Sequence, residues 1–253
     1  MLIMGILNVT PDSFADGGRH NEFAAAVARG LEMIAEGVDI IDIGGESTRP
    51  GAERVSATEE QARVIPVIEK LSQAGVPISI DTMRAQTAEL AITAGASIVN
   101  DVSGGLADDL MHETVAEMGC PYILMHWRGH SKDMANRAVY GDVVKDVVAE
   151  LNIQIEAALR SGIAKNNLII DPGLGFAKDG LQNWEILNRL EEITDLGYPV
   201  LIGASRKRFL GGENPDEREL ATIELTRSLL AKRIWGVRVH SVSPHKNLVL
   251  ANG

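Results

Sequence analysis

The chain has a single cysteine, Cys120, among 253 residues, which excludes an internal disulfide and a cysteine-based zinc site. Long apolar runs are missing as well. Stretches such as Tyr122–Met125 and Val237–Val239 are far shorter than the roughly 20 residues a spanning helix needs. Positive charge is scarce: 24 Lys and Arg stand against 35 Asp and Glu, a net charge of −11. That balance argues against nucleic acid or an anionic membrane as the main partner. Met1–Asn8 is apolar but lacks the basic start and small-residue cleavage site of a secretion signal, so a cytoplasmic location is expected. Asn8-Val9-Thr10 fits the glycosylation pattern and, without such a signal, is expected to stay unmodified. The six histidines show no zinc-ligand spacing, and no Ser–His–Asp set can be assigned. No low-complexity stretch or charged linker divides the chain, so one domain over residues 1–253 is expected.

What is present is a rhythm. A short apolar run, a patch rich in Gly, Asp, Asn and Ser, and an amphipathic segment recur along the chain. The runs are Leu2–Leu7, Val38–Ile43, Pro77–Ile80, Ser97–Val99, Tyr122–Met125, Leu168–Ile170, Val200–Ile202 and Gly236–Val239. Being continuously apolar, they suit strands buried on both faces of a parallel sheet. Between them, Val144, Val147, Val148, Leu151, Ile155, Ala158 and Leu159 fall three or four apart and predict one helical stripe. Ser56-Ala57-Thr58-Glu59 reads as a capping box, and Gly75, Gly95, Gly119, Gly162 and Gly197 stand where helices should stop. Eight such βα units predict an α/β fold, a (β/α)8 TIM barrel, with a doubly wound open sheet as the other possibility and a short last helix from Ser243-Pro244.

Barrels of this kind keep their chemistry at the C-terminal ends of the strands. Each run here delivers polar groups to that rim: Asn8, Glu46 to Arg49, Asp81, Asn100-Asp101, His126, Asp171, Ser205 to Arg208, and Arg238 with His240. A lone Asp at a strand end is often only a helix cap, but eight such ends on one face predict a ligand site. Asp81, Asn100 and Asp171 would share a deep pocket, and their acceptors and amide suit a flat heterocycle rich in N–H donors. Arg49, Arg206, Arg208, Arg238 and His240 run against the acidic balance and predict an anionic group, with Mg²⁺ as a candidate counterion if that group is a diphosphate.

The segments Asn8–Gly18, Gly44–Gly51, Ser79–Thr82, Asn100–Gly105, Asp171–Phe176, Ser205–Gly211 and Arg238–His240 together resemble the dihydropteroate synthase family, in the family's order. The resemblance implies a transferase that joins a dihydropterin diphosphate to p-aminobenzoate in folate biosynthesis, releasing pyrophosphate, and that is a sulfonamide target. It implies Asp81, Asn100, Met125, Asp171, Phe176 and Lys207 around the pterin, and Thr48, Arg238 and His240 on the diphosphate. Asn8 would meet Mg²⁺, and Phe14, Thr48, Arg49, Pro50 and Arg206 would hold p-aminobenzoate. Asp16, Asp81 and Lys207 are the implied catalytic residues, and a homodimer is the implied assembly. Two other readings share the acidic pocket: a non-catalytic pterin-binding paralogue and a pterin-binding methyltransferase barrel. Asp16 and Arg49 speak against the first, and Ser205–Lys207 with Arg238–His240 against the second. The chain departs from the family pattern at Ser241, where Asp is usual, at Ala177, where Gly is usual, and loosely over Gly211–Lys232.

Overall fold

Every apolar run becomes a strand. The computed structural model describes residues 1–10, 18–47, 54–130 and 134–252. Its strands are β1 (Leu2–Asn8), β2 (Ile40–Gly44), β3 (Ile78–Asp81), β4 (Ile98–Asp101), β5 (Tyr122–Met125), β6 (Leu168–Asp171), β7 (Leu201–Ile202) and β8 (Gly236–Val239). All pair in parallel in the order β6-β5-β4-β3-β2-β1-β8-β7, and one isolated bridge, Ile170 to Val200, closes the ring. This is the (β/α)8 barrel. The helices alternate with the strands: α1 (Gly18–Ala35), α2 (Ala57–Leu71), α3 (Ala85–Thr93), α4 (Met111–Met118), α5 (Val143–Arg160), α6 (Gly180–Asn188), α7 (Glu191–Thr194), α8 (Pro215–Leu229) and α9 (Val242–Leu250).

Local chemistry explains the boundaries. Ser56 Oγ caps α2 by accepting from the Glu59 amide at 3.1 Å, while the Glu59 carboxylate pairs with Arg63. The reciprocal box forms instead on α6, where Asp179 and Gln182 bond each other's backbone. The α5 stripe buries Val144, Val147, Leu151, Ile155 and Ala158 as expected, but Leu159 is 37% exposed. Gly119 ends α4 in the left-handed region at φ 64°, a conformation that costs other residues about 1–2 kcal/mol.

Two cores result from strand alternation. Outward residues such as Ile41, Ile43, Ile80, Val99, Leu124 and Ile170 pack under the helices. Met4, Ile40, Ile98, Ile123, Ile169 and Leu201 form a separate apolar plug inside the barrel. Above that plug the interior turns polar, and there the site begins.

Candidate active site

Two residues beyond Ile40, Ile98, Ile123 and Ile169 on the same strands stand Asp42, Asn100, Met125 and Asp171. The register sets Asn8, Gly44, Asp81 and Asn100 on one rung at the rim of β1 to β4. Arg238 Nε donates to Asp42 Oδ2 at 2.5 Å, and Arg238 Nη2 donates to Asp81 Oδ2 at 2.5 Å. Asn100 Nδ2 donates to the same Asp42 oxygen at 3.0 Å. Burial pushes the Asp81 carboxyl up, with the Arg238 guanidinium pulling against it. Burial would lower Arg238, but Asp42 and Asp81 outweigh it and hold the guanidinium charged above its ordinary range.

The opposite wall is built from β6 and β7. Asp171 Oδ1 accepts the Gly173 amide at 2.7 Å. Gly173 has φ 67°, and a Cβ there would lie 2.3 Å from the His126 carbonyl, so only glycine fits. Lys207 donates to the Leu174 carbonyl, with Nζ 4.5 Å from the centre of the Phe176 ring. Burial pushes Lys207 down to about 8 while Asp171 opposes the shift. Burial raises Asp171, and Lys207 is the main group pulling it back. Met83, Val102 and Met125 form an apolar patch against which Phe176 and Trp127 pack. The result is a slot with an apolar face and an edge of carboxylates, amide and ammonium.

Further round the rim, the Ser205 hydroxyl accepts the His240 amide at 3.1 Å and lies 2.8 Å from His240 Nδ1. Donation from that hydroxyl to Nδ1 places the imidazole proton on Nε2. Arg206 has φ 56° and donates to Glu219 at 2.6 Å and to Ser241 Oγ at 2.9 Å. Arg208 is exposed on the turn Arg208–Leu210. Among the described residues these cations do not form one open cluster: Arg238 faces Asp42 and Asp81, and Arg206 faces Glu219.

Phe14, Asp16, Thr48, Arg49 and Pro50 lie outside the described residues. The stems of the second of these loops are described. Glu46 pairs with Arg54 at 3.0 Å and with Arg84 at 2.9 Å; Arg84 also holds Glu60 at 2.6 Å and the Val55 carbonyl at 2.6 Å. Both ends of the segment after β2 are thus tied to α2 and to the start of α3.

Reading the sequence alone passes over three groups. Asp42 sits inside a run taken as a plain strand, although a carboxylate amid Ile40, Ile41 and Ile43 is itself a signal. Glu46 is noticed only as rim polarity, not as the partner of Arg54 and Arg84. A third group, Lys178 with His126 and Glu150, has no spacing that would disclose it.

The sequence profile of the pterin binding enzyme family matches residues 4–240. A dihydropteroate synthase of Mycobacterium leprae is 48% identical over 250 residues, covering 95% of this chain and 88% of the relative. The chain belongs to the dihydropteroate synthase family. Two solved structures are also similar. A Xanthomonas albilineans dihydropteroate synthase with 4-aminobenzoic acid superposes with a TM-score of 0.93 at 42% identity, covering 99% of this chain and 91% of that one. A dihydropteroate synthase from Clostridium difficile in the presence of pteroic acid gives 0.93 at 41%, covering 99% and 94%.

Both local departures from the family pattern now have a physical setting. Ala177 adopts φ 47°, the region where the usual glycine is at no disadvantage. Ala177→Gly should therefore raise the melting temperature by about 2 °C, the strain relieved slightly exceeding the entropy glycine adds to the unfolded chain. A thermal melt with an unchanged or lower midpoint would show that the position is not strained. Ser241 meets Arg206 with a hydroxyl where the family usually has a carboxylate, and Glu219 on α8 supplies a carboxylate to the same guanidinium.

Proposed function

We propose that the slot binds the pterin ring and that the chain transfers the (7,8-dihydropterin-6-yl)methyl group from its diphosphate to p-aminobenzoate, forming 7,8-dihydropteroate. The observation that carries this reading is the pairing of two buried electrostatic sets, Asp171 with Lys207 and Asp42–Arg238–Asp81 with Asn100, across one apolar-faced slot. A pterin offers N–H donors on its pyrimidine edge and acceptors at its carbonyl and ring nitrogens. Asp171 and Asp81 suit the donors, Lys207 and Asn100 suit the acceptors, and Met125 and Phe176 suit the ring faces.

The direction of the chemistry follows from the charges. Departure of the diphosphate leaves positive charge on the pterin methylene, and the carboxylates of Asp81 and Asp171 are already fixed nearby. His240, just past the end of β8, stands to receive negative charge, with Arg238 and Thr48 assigned there by resemblance. Preorganised groups of this kind contribute roughly 3 kcal/mol each to a transition state. No nucleophilic side chain is required, because the amine attacks the carbon directly. Phe14, Asp16, Thr48, Arg49 and Pro50, with Arg206, are assigned to p-aminobenzoate and to exclusion of water.

Among the described residues no group of three or more His, Cys, Asp and Glu could hold a metal ion unaided. The donor set fits a Mg²⁺ that enters on the diphosphate, with the Asn8 carboxamide as its protein contact and water completing the shell. When bound, the ion would neutralise charge on the leaving group.

The partner assignment is a second copy of the chain. Leu181 is 82% and Leu220 72% exposed on α6 and α8, where Trp184 is also partly exposed, and such an apolar surface suits a homodimer. Among the described residues no helix is long and apolar enough to cross a membrane.

The test is pyrophosphate release from dihydropterin diphosphate with Mg²⁺, with and without p-aminobenzoate, alongside detection of dihydropteroate. Release coupled to dihydropteroate supports the transferase. Binding of the diphosphate without product would support the non-catalytic paralogue. A sulfonamide, which imitates p-aminobenzoate, should compete with it in the same assay.

A further inference from the structure

Lys178 is a buried lysine that no step above uses; it is 8% exposed. Its ammonium donates to three acceptors: the Gly173 carbonyl at 3.0 Å, the Phe176 carbonyl at 3.0 Å and His126 Nδ1 at 2.9 Å. On the far side of the imidazole, Nε2 lies 3.0 Å from Glu150 Oε2, a carboxylate that Arg128 also grips. Burial pushes His126 down to about 4, so the ring is neutral near pH 7. Its Nδ1 lone pair then faces Lys178 and its Nε2–H faces Glu150. Burial pushes Lys178 down to about 7, with Asp171 as the main opposing charge and Lys207, Arg128 and Glu150 as the other charged neighbours.

The two carbonyls that Lys178 holds are the first and last of the turn Gly173–Phe176, which is closed by the Phe176 amide on the Gly173 carbonyl at 3.0 Å. The middle of the turn is held by others: Lys207 on the Leu174 carbonyl, and Asn183 Oδ1 accepting the Gly175 amide at 2.6 Å. This one turn orients the Gly173 amide toward Asp171, presents the Phe176 ring and receives Lys207. The Gly173, Gly175 and Phe176 amides and the Gly173, Leu174 and Phe176 carbonyls are all hydrogen-bonded, so a shift at either end is transmitted to all three pterin-facing residues.

We infer that Lys178 is a positioning residue for the pterin pocket: by holding both ends of the Gly173–Phe176 turn it fixes Asp171, Phe176 and Lys207 relative to one another. The inference rests on the pterin reading of this slot. It bears first on the pterin, since of the residues assigned to p-aminobenzoate only Arg206, next to Lys207, adjoins a group that the turn holds.

Lys178→Met keeps the length of the side chain and removes its donors, and Asn183→Ala loosens the same turn from the opposite side. Both are compared with the wild-type chain for dihydropterin diphosphate binding, for KM of p-aminobenzoate and for kcat at saturating pterin. Lys178→Met is expected to weaken pterin diphosphate binding by about tenfold, as loss of charge-assisted bonds does. The p-aminobenzoate KM should rise by less, about twofold, because the turn reaches that side only through Lys207 and its neighbour Arg206. Asn183→Ala should give the same split with a smaller shift. Unchanged pterin affinity in a folded Lys178→Met variant, or an equal loss for both substrates, overturns the inference. If Lys178→Met does not fold, Asn183→Ala decides by the same criterion. Failure of the underlying reading is separately visible, because the wild-type chain itself would then neither bind dihydropterin diphosphate nor release pyrophosphate.

Discussion

Arg238→Met should destabilise the protein by about 3–5 kcal/mol and abolish measurable transferase activity, the stability loss being read as a lower urea midpoint. The guanidinium is 2.5 Å from both Asp42 and Asp81, and Asp42 is fully buried. Removing it leaves two carboxylates facing each other in a site of low dielectric, with Asn100 as the remaining donor to Asp42. Much of the expected loss is thus the cost of stranded negative charge, not the value of the pair itself. A second measurement separates the two. Adding Asp42→Asn to Arg238→Met should restore roughly half of the lost stability by removing one stranded charge, while activity stays absent. Arg238→Lys should fall between, since an ammonium cannot reach both carboxylates with the planar fork of arginine. A urea midpoint for Arg238→Met equal to that of the wild type would show that the two aspartates need no counterion.

Lys207→Ala is expected to lower kcat/KM for the pterin diphosphate by about two to three powers of ten, as loss of a preorganised charge does. The wild-type enzyme should show the same dependence in its pH profile. Lys207 is pushed down to about 8 by burial, so its charge is lost as pH rises through that value, and pterin binding should weaken there. Lys207→Arg should move that alkaline limb upward, whatever its absolute rate. Stability behaves in the opposite sense. Between about pH 8 and the ordinary lysine value of 10.5 the unfolded chain binds the proton that the folded chain has released. The contribution of this residue to stability therefore rises with pH across that window, its desolvation penalty being fully present below it. Activity falling while this contribution rises is a pairing that general alkaline unfolding cannot produce. A pH profile unchanged by Lys207→Arg would remove Lys207 from the pterin contacts.

The strands were legible because burial on both faces leaves a continuous apolar signature; each run lies within two residues of a strand at either end. Asp81, Asn100 and Asp171 were legible because a polar residue ending such a run has only the rim to occupy. What the sequence conceals is which partner each charge has. Arg238 read as a bare cation aimed at an anion, whereas 196 positions separate it from Asp42 and 157 from Asp81. No periodicity reports a contact of that range. Lys178 stayed hidden for the same reason: directly after Phe176-Ala177 it looks like loop solubility, and its meaning comes from His126 on β5's end. Even Ala177 could be seen only as a departure, since its sign depends on a dihedral angle.

The narrow closure of the barrel has a kinetic consequence. Strand β7 has two residues and meets β6 through the single bridge Ile170–Val200, with the Ile170 amide on the Pro199 carbonyl at 2.9 Å. Amide hydrogen exchange should find this seam among the first to open in an otherwise ring-stabilised sheet. Asp171 follows directly on one side of the seam, and Lys207 stands beyond the other. A pterin bonded to both would act as a strap across the gap, so the substrate should slow exchange at Ile170 and Leu201 more than at the well-paired junction of β1 and β2.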